Sequence, residues 1–281
     1  MIHPKMKYYV KLARPANIGL VIAVVLITSA FFTPYPPIWR VLLAIVCVSF
    51  ITAAGNALND ICDIEIDRIN KPKRPLPAQL ITVEGARGFM LIMFVLGNLA
   101  ALLLGIGPLL ISLLIVTPML YWYAHHLRNV ALAGNVLVAF LSSLPFLFAA
   151  LAFGDMSIGY VPAVYCFVLS LIREIVKDLE DLDGDGAQNS RTLPVSIGET
   201  PTRILAGILI VLFIPFIPLP YVAGLYGKWF FFIAAFAGGI PLITIMIQLF
   251  QVKRKINYYQ IASMLKIIML IGIIAIFLGK F

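Results

Sequence analysis

Nine apolar stretches follow one another along the 281-residue chain, near 16–34, 38–57, 84–105, 107–124, 130–153, 157–175, 202–222, 228–250 and 261–279. Each comes close to the roughly 20 apolar residues that a helix needs to cross a hydrocarbon core about 30 Å thick. Lipid offers open backbone no hydrogen-bond partners, so each stretch is expected to be helical. Only 12% of the residues are charged, against about a quarter in soluble domains, which excludes a water-soluble globule. Pro118, Pro145, Pro215, Pro218 and Pro241 fall inside stretches and are expected to kink them rather than end them. The first stretch lacks a small-residue cleavage pattern and is followed by others, so it reads as a membrane helix and not as a removable signal peptide. The expected fold is an all-α membrane protein, nine transmembrane helices around a central cavity, in a single domain spanning 1–281.

Counting spans assigns every basic residue to a side. Arg40, Lys228 and Lys280 share one side, and the other 18 of the 21 Lys and Arg share the opposite one. By the positive-inside rule the richer side is cytoplasmic. The N-terminus is therefore expected in the cytoplasm of a multi-pass cell-membrane protein, with the C-terminus outside. An odd number of spans keeps this alternation intact.

The acidic residues are more unevenly placed still. Of 13, all but Asp155 lie within 59–87 or 174–199, both on the cytoplasmic side. In the first segment Asn56, Asp60, Asp63 and Asp67 are spaced by four, three and four, which makes one helical stripe with Asn59 beside it. In the second, Glu174, Asp178, Asp181 and Asp185 follow those four positions 118 residues later. Arg74-Pro-Leu-Pro77 returns as Arg191-Thr-Leu-Pro194 at an offset of 117. The chain thus reads as an internal pseudo-repeat, approximately 1–129 and 130–281, each half ending in an acidic stripe and a basic loop that could face the other across one cavity.

Like charges on a stripe repel and need a cation. Carboxylate and amide oxygens suit a hard ion such as Mg²⁺, and Lys73, Arg74, Arg128, Lys177 and Arg191 lie close by in sequence. Acids that hold metal, metal that holds phosphate and bases that complete the neutralisation describe a diphosphate site. Cys47, Cys62 and Cys166 form no CxxC pair and read as packing residues. His125 and His126 read as an interfacial pair.

Asn59-Asp60-x-x-Asp63-x-x-x-Asp67 and Asp181-x-x-x-Asp185, each followed by a basic Leu-Pro loop, closely resemble the two aspartate-rich motifs of the UbiA superfamily of intramembrane prenyltransferases. That resemblance covers nearly the whole chain and implies nine spans with both motifs on cytoplasmic loops that cap the cavity. It implies that Asn59, Asp63, Asp67, Asp181 and Asp185 coordinate Mg²⁺ and a prenyl diphosphate, with Asp60 and Asp178 in support; Asp63, Asp67, Asp181 and Asp185 are the catalytic set. Lys177, and Arg128 in Tyr123-Ala-His-His-Leu-Arg128, match basic positions that contact the diphosphate; the position of Arg128 is usually lysine. Lys73, Arg74, Arg191, Asn56 and Tyr123 complete the expected substrate contacts. Arg14, in Arg14-Pro-Ala-Asn17, is either the seat of the acceptor's phosphate or a positive-inside anchor.

Within the superfamily, the run from Arg173 to Asp185 and the later Arg-Thr-Leu-Pro are most similar to the archaeal ether-lipid branch. Its chemistry implies Mg²⁺-dependent transfer of a geranylgeranyl group from its diphosphate to the hydroxyl of geranylgeranylglyceryl phosphate. The partners are then a prenyl diphosphate donor, a lipid-like phosphorylated alcohol and membrane lipid, with no nucleic acid. Breaking the allylic C–O bond puts negative charge on the leaving diphosphate, which metal and bases stabilise, and an apolar chamber shields the cation from water. Prenylation of an aromatic acceptor, as in quinone, haem or chlorophyll pathways, is the nearest alternative. A divalent-cation transporter is the alternative of a different class, and its acids should lie at midplane depth.

Overall fold

The computed structural model describes residues 6–127, 130–182, 186, 191–251 and 256–280. The helices are α1 (Met6–Ala13), α2 (Pro15–Ala30), α3 (Ile38–Cys62), α4 (Ile64–Asn70), α5 (Val83–Leu104), α6 (Ile106–Leu127), α7 (Ala133–Phe153), α8 (Met156–Glu180), α9 (Leu193–Ile197), α10 (Glu199–Val222), α11 (Lys228–Phe250) and α12 (Tyr258–Leu278). Eight are long and apolar enough to cross a membrane, and α1 with α2, bent by 54°, makes a ninth if taken as one span. Among the described residues the only strand-like feature is an isolated bridge between Val130 and Arg191. Large apolar side chains stay exposed along the spans, Leu103 at 66% and Val222 at 73% among them, as expected where the solvent is lipid. The chain is a multi-pass all-α membrane protein.

The spans sit within a few residues of their expected positions, with informative exceptions. The first begins at a helix already formed at Met6 and ends at Ala30 instead of 34. Pro15 supplies the fixed φ of a first helical turn, and Arg14 before it adopts a left-handed backbone, φ 55°, so the chain turns an elbow there. The sixth span runs on to Glu180, so Glu174 and Asp178 lie inside a helix and not beyond its end. Pro118, Pro215 and Pro241 fall in or beside π- or 3₁₀-turns, while Pro145 is carried inside one continuous α-helix.

Packing divides the chain into two compact units, Met1–Arg128 with Leu144–Gly159, and Asn129–Ser143 with Tyr160–Phe281. In the first, α3 and α5 pack through small residues, Ala44, Ala100, Ala101 and Gly97. Between apolar helices in lipid, close approach and dispersion replace the hydrophobic effect as the cohesive force. A Cβ on Gly97 would lie 2.9 Å from the Ile51 side chain and 3.3 Å from its backbone nitrogen, and the backbone has no way to yield cheaply. Gly97→Ala is therefore expected to cost about 1–3 kcal/mol, read as a lowered melting temperature in detergent. Asp155, the acid outside both clusters, accepts from the Ser157 N–H at 2.9 Å and from its hydroxyl at 2.6 Å. Those bonds hold its carboxyl below the ordinary range and explain it as a local turn-former.

The second unit centres on α8, α10, α11 and α12, whose Ile172, Ile175, Ile210, Ile245, Ile261 and Leu265 are fully buried. One backbone feature echoes between the units. Leu132, 118 residues after Arg14, is also left-handed at φ 61°, and in each case an asparagine follows three residues later, Asn17 and Asn135.

Candidate active site

In the first unit the polar end of α3 is tied to the α1–α2 elbow. Asn56 Nδ2 donates to the Ala13 carbonyl at 2.9 Å, and Asn17 Nδ2 donates to Asn56 Oδ1 at 3.3 Å. Asn56 thereby fixes where Arg14 sits, and Arg14 donates to the buried Asp60 carboxylate. Arg74 reaches the same carboxylate from the loop after α4: its Nη1 lies 3.3 Å from Asp60 Oδ1 and 2.5 Å from Asp67 Oδ2. The carboxylates of Asp60 and Asp67 are 3% and 4% exposed. Buried this deeply, each would be costly without a cation, and the two arginines supply it. Lys73 is exposed, and its carbonyl accepts from Lys11 Nζ at 3.1 Å.

The stripe expected along one helix is interrupted. α3 stops at Cys62, Asp63 takes φ −94°, ψ 2°, and α4 restarts at Ile64 with Glu65 and Asp67 in its first turn. The restart places acids beside a helix N-terminus, where backbone N–H groups favour negative charge, an advantage that an unbroken helix would not give them. Asn59 Oδ1 is buried with no hydrogen-bond partner among the described residues. Cys47 is buried as expected, whereas Cys62 is only half-buried and lies 3.9 Å from His125 Nε2. Tyr123 is half-buried in the π-turn that ends α6.

In the second unit, α8 presents Glu174 between two cations, Arg173 at 2.7 Å and Lys177 at 3.1 Å. Asn135 Nδ2 donates to Asp178 Oδ2 at 2.9 Å. Asp181 ends the helix, half-buried, its N–H donating to the Lys177 carbonyl at 2.9 Å. Arg191 is exposed. Arg128 and Asp185 lie outside the described residues. Asn17 and Asn135 are the residues that motif spacing alone does not single out, although the 118-residue offset links them. At the offset of the stripes Lys177 takes the place of Asn59, so the second unit carries a cation where the first carries an amide.

Among the described residues no three His, Cys, Asp or Glu side chains are gathered tightly enough to hold a metal ion by themselves. Mg²⁺ needs less than that: it keeps several waters and binds one or two carboxylates plus substrate phosphates. The oxygen-only donor set of Asn59, Asp63 and Asp67, with the unpartnered Asn59 Oδ1, fits such an ion.

A family model of UbiA prenyltransferases matches residues 19–264. The chain belongs to the UbiA prenyltransferase family. As a UbiA-family protein it is a membrane prenyltransferase. It is 36% identical over 284 residues to the digeranylgeranylglyceryl phosphate synthase of Methanocaldococcus jannaschii, covering 98% of this chain and 96% of that one. Against the synthase of the same name from Sulfolobus acidocaldarius it is 37% identical over 224 residues, 78% of this chain and 79% of that one. Among solved structures it is similar to a membrane digeranylgeranylglyceryl phosphate synthase, with TM-score 0.75 and 34% identity over 99% of both chains. It shares the fold of a UbiA homologue from Archaeoglobus fulgidus bound to GPP and Mg²⁺, with TM-score 0.72, 18% identity and coverage of 96% and 98%.

Proposed function

We propose that this prenyltransferase moves a geranylgeranyl group from geranylgeranyl diphosphate to the free hydroxyl of geranylgeranylglyceryl phosphate, forming the second ether bond of archaeal membrane lipids and releasing diphosphate. The observation that carries this reading is the 34% identity over 99% of both chains to a digeranylgeranylglyceryl phosphate synthase structure. The oxygen-rich, arginine-flanked helix ends supply the chemistry it needs.

In this reading Asn59, Asp63, Asp67, Asp181 and Asp185 hold Mg²⁺, with Asp60 and Asp178 in support. Mg²⁺ bound there would neutralise the diphosphate as it leaves. Lys73, Arg74, Arg128, Lys177 and Arg191 take the remaining phosphate charge, Arg74 and Arg191 with a planar fork suited to paired oxygens. Asn56 holds the elbow that aims Arg14, and the pairing of Arg14 with Asp60 makes it a neutralising group ahead of a seat for the acceptor's phosphate. Tyr123, in the π-turn that ends α6, contacts the substrate. The apolar span walls exclude water from the allylic cation. The acceptor oxygen attacks the prenyl carbon as the C–O bond to diphosphate breaks, and the hydroxyl proton passes to a carboxylate or to the released diphosphate. The 18-to-3 distribution of basic residues supports a cytoplasmic N-terminus and cytoplasmic catalytic loops.

Membranes containing the protein, given geranylgeranyl diphosphate, Mg²⁺ and one acceptor at a time, test the assignment. An ether product with geranylgeranylglyceryl phosphate is expected. Product with an aromatic acid alone overturns the acceptor, and magnesium flux in proteoliposomes without diphosphate release overturns the enzyme.

A further inference from the structure

Asp67, a carboxylate that the proposed function gives to Mg²⁺, is already engaged. Arg74 Nη1 lies 2.5 Å from its Oδ2 and 3.3 Å from Asp60 Oδ1. Asp60 has Arg14 as a second cation, so Asp60 remains neutralised if Arg74 departs and Asp67 does not.

The backbone that carries Arg74 is fixed. Its N–H donates to the Lys71 carbonyl at 3.0 Å, its carbonyl accepts from Ala78 at 3.0 Å, and Leu80 donates to the Pro75 carbonyl at 2.9 Å. Leu76 and Ile81 pack with Leu12, Ala57 and Ala86. Movement is thereby confined to a long side chain that already reaches solvent, the Arg74 side chain being 22% exposed and the Asp67 carboxylate 4%.

The geometry points to Arg74 as a latch on the metal ligand Asp67: it occupies the carboxylate between turnovers and passes to the donor's phosphate oxygens when Mg²⁺ arrives with the diphosphate. A guanidinium and Mg²⁺ compete for the same carboxylate oxygen, and a guanidinium's planar fork can pair with either carboxylate or phosphate. The exchange therefore leaves no charge uncompensated at either stage. Metal alone must displace the arginine into water, whereas metal with diphosphate gives it a new partner. Metal and donor then raise each other's affinity, as linkage requires. The inference rests on the reading of Asp67 as a metal ligand.

Mn²⁺ binding to the full-length protein in detergent, followed by electron paramagnetic resonance with and without an unreactive thiolo analogue of geranylgeranyl diphosphate, tests the latch. Wild type is expected to bind Mn²⁺ weakly alone and about tenfold tighter with the analogue. In Arg74→Gln, Mn²⁺ alone is expected to bind about tenfold tighter than in wild type, and the analogue should tighten it less than it does in wild type, because only direct metal–phosphate ligation still couples the two. Arg74→Lys, which keeps the charge and serves if the glutamine variant does not fold, should fall between. Wild-type coupling with no gain of metal affinity in either variant overturns the latch alone. A wild type that takes no Mn²⁺ even with the analogue overturns the metal reading of Asp67 and the latch with it.

Discussion

Replacing Asp63 or Asp181 with alanine is expected to lower turnover by about 10²–10³-fold while leaving a folded protein in the membrane. The magnitude follows from the role proposed for these carboxylates: the diphosphate must accept nearly a full charge as the C–O bond breaks, and removing one preorganised stabilising group from such a site costs about 10²–10³ in rate. Both residues are half-buried at a helix boundary and lie outside the apolar core clusters. Their chemical role therefore separates from any structural one. Ether product from labelled donor, measured beside the melting temperature of the same preparation, checks both halves. Near-normal turnover in either variant removes that residue from the metal set.

The opposite signature is expected at Asp60. Its carboxylate, 3% exposed, receives Arg14 and Arg74 together, so Asp60→Ala leaves two guanidiniums converging without their shared anion. Removing one partner of a buried ion pair costs about 3–5 kcal/mol, and Arg74 retains Asp67 as a second anion, which favours the lower end of that range. Thermal unfolding in detergent should show a large fall in melting temperature that Mg²⁺ does not restore. Asp60→Asn, which keeps the acceptor oxygen without the charge, should lose less. An unchanged melting temperature in the alanine variant means that the arginines are satisfied elsewhere.

The contrast between these two aspartates, three positions apart, shows where sequence reading ends. Apolar length is set by bilayer thickness, so the spans are legible from composition alone, and the 118-residue offset exposes both stripes because spacing survives in one dimension. Spacing nevertheless treats Asp60 and Asp63 alike. Their difference lies in Arg14, 46 residues before Asp60, and in the elbow that aims it through Asn17 and Asn56. The restart of the helix at Asp63 is equally hidden, because the heptad-like spacing of Asn56, Asp60, Asp63 and Asp67 is satisfied by an unbroken helix as well as by a broken one. Asn135 escapes notice for the same reason as Asn17: a single amide at the start of an apolar span has no meaning until its partner, Asp178, is seen 2.9 Å away.

Asp63 and Asp181 are each proposed to hold Mg²⁺ that binding of the donor diphosphate requires. Calorimetric titration of the unreactive donor analogue into wild type, Asp63→Ala and Asp181→Ala, each with Mg²⁺ and with chelator, measures this without chemistry intervening. Binding that needs Mg²⁺ in wild type and is lost in both variants is the expected result. Undiminished Mg²⁺-dependent binding in either variant would contradict it, because the donor would then not depend on that carboxylate.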